Sequence, residues 1–315
     1  MRPNPPRTLK DPPPTGVGPL AAIIPTKDRP RELKNLLVNL EQQTLKPAQV
    51  IIIDSGRGSL DALAAEHRIL NITYRKYSPP SSARQRNEGL NHLAQAVNYV
   101  AFFDDDIILD LKAIENTVAF LDQASTEVAA VCLNLTNHPR LEFPELKRIP
   151  LVERLGLYSW RKGVVLRSGF QTLIGPVREP TEVAWFPSTA IVCRRKALPL
   201  QSFDPWFQAY SYLEDLDFSY RLGKANRLLV IPSATFFHLE SPHGREKRFL
   251  FGQKEVLNRV YFVRKHKELS LWLCGLGLIL KSAMNLFQFL STGRIAFLFR
   301  SIGNQVGFMR FAFRI

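Results

Sequence analysis

Between Leu20 and Asn134 the apolar residues keep two alternating rhythms. Leu20-Ala-Ala-Ile-Ile-Pro-Thr26 and Val50-Ile-Ile-Ile-Asp-Ser55 are short apolar runs that close on polar residues, the pattern of strands buried on both faces. Between them, Leu33, Leu36, Leu37 and Leu40 follow the i, i+3, i+4, i+7 spacing that gives a helix one apolar face. Leu70 to Arg75 predicts a weaker strand, and Leu90, Leu93, Ala94 and Val97 predict a helix leading into a strand at 99–104. Leu111, Ile114, Val118 and Leu121 repeat the helical period before a further strand at Val128 to Leu133. Such alternation predicts an α/β fold, a mainly parallel sheet sandwiched by helices. Ligands of these sheets bind outside the carboxyl ends of the strands. Thr26 to Arg29, Asp54 and Asp104 to Asp106 all fall there, which points to a nucleotide and metal site.

From His138 to about Val183 the pattern loosens into short apolar pieces separated by prolines and arginines, either an acceptor-facing insertion or a poorly packed excursion. A strand returns at Ala190 to Cys193, followed by a helix from Ser211 to Leu222, a strand from Arg227 to Ile231 and a long helix from Glu246 to Lys267. From Leu269 to Ile315 the chain carries five basic residues, no Asp or Glu, Trp272 and seven phenylalanines. That makeup predicts an amphipathic helical tail that associates with a membrane surface. A spanning helix wants ~20 mostly apolar residues. The run from Leu269 to Leu290 is interrupted by Lys281, Asn285 and Gln288, so the tail is expected to lie in the interface rather than cross. The alternative is a helical cap that buries its phenylalanines on the main domain. The expected division is a flexible Pro-rich arm at 1–18, a main domain at 19–268 with a nucleotide-binding half (19–134) and an acceptor half (135–268), and the tail at 269–315.

Composition narrows the class. With 45% hydrophobic and 22% charged residues the chain is not disordered. Cys132, Cys193 and Cys274 stand far apart, which excludes a zinc module or disulfide framework and fits a reducing compartment. The arm has no apolar core of the signal-peptide kind, so the expected location is cytoplasmic, peripheral on the inner face of the cell membrane. A net charge of +14 would also attract nucleic acid, but the sequence holds no recognition module for it.

The chemistry concentrates in Tyr99-Val-Ala-Phe-Phe-Asp-Asp-Asp-Ile-Ile-Leu-Asp110, an apolar strand running into three adjacent carboxylates. Unpaired carboxylates are costly to bury and repel one another. An Mg²⁺ or Mn²⁺ holding a diphosphate would neutralise them, whereas the plainer reading is a surface turn after a buried strand. In Leu213-Glu-Asp-Leu-Asp-Phe-Ser-Tyr-Arg-Leu222, Glu214 and Asp217 lie on one side of a helix. Acids at a helix start serve as dipole partners, or as a general base beside a cation and an acceptor hydroxyl.

Taken in order, these segments resemble glycosyltransferase family 2, the inverting transferases of GT-A fold, from about Leu20 to His266. Pro25-Thr26-Lys27-Asp28-Arg29 looks like the family's first nucleotide-binding loop, and Val50-Ile-Ile-Ile-Asp-Ser-Gly56 like its second strand. Ala83-Arg-Gln-Arg-Asn-Glu-Gly-Leu90 is similar to its Arg-Asn-x-Gly helix start. Asp104-Asp-Asp106 stands at its Asp-x-Asp motif, and Leu213 to Leu222 at its Glu-Asp segment. The resemblance implies a nucleotide-diphosphate sugar as donor, with Pro25, Thr26, Lys27 and Arg29 in its loop. It implies Asp54 on the base or ribose, Arg84 or Arg86 on phosphate (Arg86 being the aligned arginine), and Asp105 on the ribose. Asp106, with Asp104 and His238, would hold Mn²⁺ or Mg²⁺; for His238 the other reading is a strand cap bonded to backbone. Asp215 would be the base that deprotonates the acceptor hydroxyl, with Glu214 as its neighbour on the acceptor. His243 and Arg245 would close over the donor.

Two departures matter. In place of the family's Gly-rich acceptor turn stands Trp185-Phe-Pro-Ser-Thr189, which makes Trp185 and Ser188 the candidate acceptor contacts, Trp185 by stacking on a sugar ring. The Gln-x-x-Arg-Trp motif of processive synthases is absent, Gln253 and Arg259 lacking its spacing. Single transfer to a glycan or lipid-linked acceptor is therefore expected. The competing functions are a nucleotidyltransferase, for which the Gly-rich phosphate loop is missing, and a non-catalytic membrane-associated scaffold.

Overall fold

The computed structural model describes residues 18–138, 150–154, 156–199, 201–241 and 246–313. Four parallel strands stand in the order β3 (Ile72–Lys76), β2 (Gln49–Asp54), β1 (Leu20–Thr26), β4 (Tyr99–Phe103). All residues of β1, β2 and β4 are buried because helices cover both faces. α1 (Pro30–Gln42) lays its four expected leucines against Ile24 and Ile52 on one face. Ile23, Ile51 and Phe102 turn to the other, where α3 (Ser82–Leu90) contributes Ala83. A methyl on Gly89 would strike Ile23, so this glycine lets α3 sit close on β1. α2 (Asp61–Glu66) leads into β3, and α4 (Ala113–Gln123) into β6 (Val128–Leu135).

Past β4 the sheet becomes mixed. β8 (Ala190–Arg194) inserts antiparallel between β4 and β6, and β9 (Arg227–His238) lies parallel to β6. Short strands β5 (Ile107–Leu109) and β7 (Thr181–Glu182) pair antiparallel with β9. α5 (Pro150–Arg154) and α6 (Glu214–Gly223) precede the long α7 (Arg248–Lys265).

Two expectations shift. The helix expected over Leu90 to Val97 has already ended at Leu90. The Gln49 side chain donates to the His92 carbonyl and accepts from the Ala94 N–H, drawing off backbone groups a helix would need. β9 runs seven residues past Ile231, to His238. Its register with β6 slips between Leu133↔Ile231 and Asn134↔Thr235, so Pro232, which has no N–H to give, sits in the irregularity. The strand then resumes and sets His238 opposite Ile107, beside the acidic cluster.

The tail forms two helices, α8 (Leu271–Thr292) and α9 (Ile295–Phe313), joined at Gly293 in the left-handed region (φ 66°). α9 crosses α7 closely: a methyl on Gly303 would run into the Phe249 carbonyl, and one on Gly252 into that of Arg300. Beside apolar packing of Phe308 and Phe311 on the core that holds Val256 and Val260, these helices share polar contacts. Ser282 meets Ser301 at 3.2 Å, Asn285 donates to Asn304 at 3.0 Å, and Arg300 pairs with buried Glu255 at 2.7 Å. The outward faces are apolar, with Trp272, Ile279, Phe287, Leu290 and Ile295 each more than half exposed. α8 is long and apolar enough to cross a membrane by length and composition, with a mean hydropathy of 1.5.

Candidate active site

A cavity of about 850 Å³ opens at the carboxyl ends of β1 and β4. Pro25, Thr26, Lys27, Arg29, Arg86, Asp104, Asp105, Asp106, Trp185, Ser188, Glu214, Asp215 and His238, thirteen of the residues singled out in the sequence, line it. Asp54 and Arg84 do not. Asp54 is fully buried at the end of β2, where its carboxylate accepts from Gly56 N at 2.6 Å, Tyr74 Oη at 2.8 Å and Lys76 Nζ at 2.9 Å. Arg84 lines an adjoining hollow of about 310 Å³ shared with Lys27, and its guanidinium donates to the Pro205 carbonyl. His243 and Arg245 lie outside the described residues.

The acids divide into two groups. Asp105 and Asp106 are both 4% exposed. The Thr26 hydroxyl donates to Asp105 at 2.7 Å, and Arg29 donates to Asp105 at 2.9 Å and to Asp106 at 3.4 Å. Burial pushes Asp105 up to about 6, against the pull of Arg29 and Thr26. Burial would raise Asp106 too, but the His238 hydrogen bond and the nearby cationic groups outweigh it and hold that carboxyl low. Asp106 Oδ1 lies 3.0 Å from His238 Nε2, and its Oδ2 accepts from Ser241 N at 2.9 Å.

The second group begins at the start of α6. Arg86, buried on α3, donates to Glu214 at 2.7 Å and to Asp104 at 2.7 Å, so it ties the two acidic segments together. It stands 5.3 Å from the centre of the Phe203 ring. The guanidinium expected on phosphate is thus already engaged by two carboxylates. Burial first, then the Asp215 charge, pushes Glu214 up to about 8 despite Arg86. Burial also raises Asp215, which accepts from Leu216 N at 2.7 Å and has no side-chain partner among the described residues. Asp217, three residues after Glu214, turns away from the cavity and bonds Arg221, Lys265 and His266.

The backbone is strained around this cavity. Asp28, Ala209, Ser211, Leu213 and Glu240 are the non-glycine residues with positive φ among the described residues. Ala209, Leu213 and Glu240 line the cavity, and Asp28 sits between lining residues Lys27 and Arg29. Left-handed backbone at non-glycine positions costs of order 1–3 kcal/mol each and gathers at functional sites. Here Leu213 (φ 76°) turns the chain sharply into α6, which aims Glu214 and Asp215 inward.

Trp185 is 6% exposed and its indole N–H donates to the Thr172 carbonyl at 3.0 Å, so it builds the cavity wall. Gln85, Gln171, Tyr212 and Ser241 also line the cavity. Gln85 braces the ends of β1 and β2 by donating to the Thr26 and Ile53 carbonyls. Arg259, noted only for lacking a motif's spacing, donates to Gln171 and to the Gly169 carbonyl at 2.6 Å each. No local pattern marks these residues, because long-range pairing brings them in.

One set of donors fits a metal ion. Atoms of Asp104, Asp106 and His238 lie within 4.8 Å of one another. Two carboxylates and an imidazole suit a divalent ion, with the oxygens favouring Mn²⁺ or Mg²⁺.

Known proteins share this plan. The model of glycosyl transferase family 2 matches residues 21–198. The N-acetylglucosaminyl-diphospho-decaprenol L-rhamnosyltransferase of Mycobacterium tuberculosis is 25% identical over 243 residues, covering 71% of this chain and 76% of that protein. The Pyrobaculum calidifontis mannosyltransferase PcManGT, solved with GDP-Man and Mn²⁺, superposes with a TM-score of 0.51 at 16% identity, covering 97% of this chain and 90% of that one. GalNAc-T7, solved with UDP, GalNAc and Mn²⁺, gives 0.55 at 13% identity over 72% of this chain and 44% of its own. Those two likenesses concern the fold, which is GT-A. With more than half of its length matched by the family model, the chain belongs to glycosyl transferase family 2.

Proposed function

We propose that this glycosyltransferase moves a sugar, with inversion, from a nucleoside-diphosphate sugar to a hydroxyl of a lipid-linked or other glycan acceptor, with Asp215 as the base. The observation that carries this reading is the single cavity in which Asp104, Asp106 and His238 face Glu214 and Asp215. Asp104, Asp106 and His238 would hold Mn²⁺ or Mg²⁺. Such an ion, when bound, neutralises charge growing on the departing diphosphate. Thr26 and Arg29 fix Asp105 for the ribose side of the donor. Arg86 holds Glu214 and leaves Asp215 as the acid without a side-chain partner, raised by burial toward the range where a carboxylate takes a proton effectively. Asp54, Lys27 and Arg84 would serve the base and phosphate side, and Ser188 the acceptor.

The enzyme would work on the inner face of the cell membrane, with α8 and α9 lying in the interface. Their exposed Trp272, Phe287 and Leu290, together with the lack of acidic residues after Glu268, support that placement. The test is a panel of nucleotide sugars incubated with Mn²⁺. Free nucleoside diphosphate is the expected product. Pyrophosphate would indicate nucleotidyl transfer instead, and neither product, with lipid binding kept, would leave a scaffold.

A further inference from the structure

Behind the cleft wall, α7 carries a buried cation with no counter-ion. Arg259 is 2% exposed and has no carboxylate partner among the described residues. Taking a guanidinium out of water without an opposite charge is costly. Its hydrogen bonds go instead to the Gly169 carbonyl and to Gln171 Oε1, at 2.6 Å each, and to Tyr212 Oη at 3.4 Å. A neutral donor would satisfy the carbonyl alone. The cation does more, because Gln171 and Tyr212 come from distant segments and both line the cavity together with Asp215.

A guanidinium can only donate, and that settles how both partners are turned. The Gln171 amide must give its oxygen to Arg259, which leaves its NH2 without a partner among the described residues. Tyr212 accepts from Arg259 and keeps its hydroxyl hydrogen, for which no acceptor stands among the described residues. Both side chains are held from behind. Asn258, next to Arg259, donates to the Tyr212 carbonyl at 2.6 Å, and the Phe251 ring meets that of Tyr212 at 4.8 Å. The Arg259 guanidinium lies 4.4 Å from the centre of the Phe170 ring, and α8 packs so near that a methyl on Gly277 would strike this ring. Two fixed donors thus share a cleft with carboxylates that accept. A sugar ring suits both: one hydroxyl gives its proton to Asp215, and the oxygens of its neighbours accept from Gln171 and Tyr212. An apolar chain or a cation would leave the two donors unmatched.

We infer that Gln171 and Tyr212 read the hydroxyl pattern of the acceptor sugar beside the hydroxyl that Asp215 deprotonates, and that Arg259 is the positioning residue that keeps both donors turned into the cleft. This assignment rests on the transferase reading and adds to it the groups that select the acceptor.

The test assays the full chain with the nucleotide sugar that the donor panel identifies. Octyl glycosides of neutral hexoses serve as acceptors, each beside its monodeoxy forms. Wild type should lose about tenfold in kcat/KM on the deoxy forms that lack an oxygen bound by either donor, the scale of one hydrogen bond. Tyr212→Phe and Gln171→Glu should each raise the acceptor KM about tenfold, move the donor KM less than about twofold, and erase the preference over one deoxy form. Gln171→Glu gains an ion pair with Arg259, so its melting temperature should not fall, and a purely structural role would leave the deoxy preferences intact. Arg259→Met should raise the acceptor KM at least as far and blunt both preferences; should it fail to fold, the two wall variants decide. A donor KM that rises in place of the acceptor KM, or deoxy preferences that survive both wall substitutions, overturns the inference. If wild type releases nucleoside diphosphate by hydrolysis yet glycosylates no glycoside of the panel, the inference falls and the transferase reading stands. Release from none of the nucleotide sugars sinks both.

Discussion

Replacing Asp217 with Asn should destabilise the protein by about 2–3 kcal/mol at pH 7, because this buried carboxylate fastens α6 to α7. Asp217 has no exposed side-chain surface, and accepts from Arg221 at 2.8 Å, Lys265 at 2.8 Å and His266 at 3.2 Å. Burial would raise it, yet these partners hold it at about 2, against a usual 3.8. That difference corresponds to about 2.4 kcal/mol at 1.36 kcal/mol per unit. Breaking a buried pair can cost 3–5 kcal/mol when the remaining charge is stranded. Here Lys265 keeps Asp204 at 2.6 Å and Arg221 keeps the Ser202 carbonyl, which favours the lower figure. Asparagine preserves shape but removes the charge and turns one of the two accepting oxygens into an NH2 that cannot accept from these donors. Since the folded-state value lies below the unfolded one, the stabilisation is complete above about pH 5 and drains away as pH falls toward 2. Urea unfolding of both proteins from pH 8 to 3.5 measures it. The gap should be constant down to about pH 5 and then narrow. A gap below about 0.5 kcal/mol at pH 7, the scale of an ordinary surface substitution, or one that widens with acid, would refute the assignment.

Other variants probe the remaining links. Arg86→Met should leave Glu214 and Asp104 without their shared cation, costing about 3–5 kcal/mol and greatly slowing turnover; unchanged urea stability would contradict that bridge. Gly303→Ala should cost about 1–3 kcal/mol by forcing α9 off α7, read as a lower melting temperature. The triple change Trp272→Ser, Phe287→Ser, Leu290→Ser should cut sedimentation with anionic liposomes several-fold while leaving the melting temperature near wild type, since all three are more than half exposed. Equal liposome binding would place the membrane contact elsewhere.

Much of the half at 19–134 was legible because buried parallel strands leave unbroken apolar runs. β1, β2 and β4 lie where those runs predict, with Thr26 and Asp54 as register partners at their ends. The start of α6 was legible from its acids over an apolar face. What the sequence could not reveal depends on three-dimensional pairing. The slip at Pro232 that carries His238 to Asp106 has no local signature, and neither does Gln49 intercepting the backbone after α3. Arg86 illustrates the same limit. Its position in an Arg-Asn-x-Gly segment suggested a phosphate, whereas burial between Asp104 and Glu214 makes it the bolt between two acidic groups. Part of the tail is the cap, since α9 packs closely on α7 at Gly303 and Gly252 and sets Phe308 and Phe311 against the core, while the outer face stays apolar.

That one cleft both grips the donor through Asp106 and takes the acceptor's proton at Asp215 is tested most directly by calorimetry. Mn²⁺-dependent binding of the nucleotide sugar that the panel identifies would be compared in Asp106→Ala and Asp215→Asn. Asp106→Ala should lose the metal-dependent part of the affinity, and Asp215→Asn should bind within about twofold of wild type, a few tenths of a kcal/mol, while transferring no sugar. Unaltered metal-dependent affinity in Asp106→Ala, or wild-type transfer by Asp215→Asn, would contradict that division of labour.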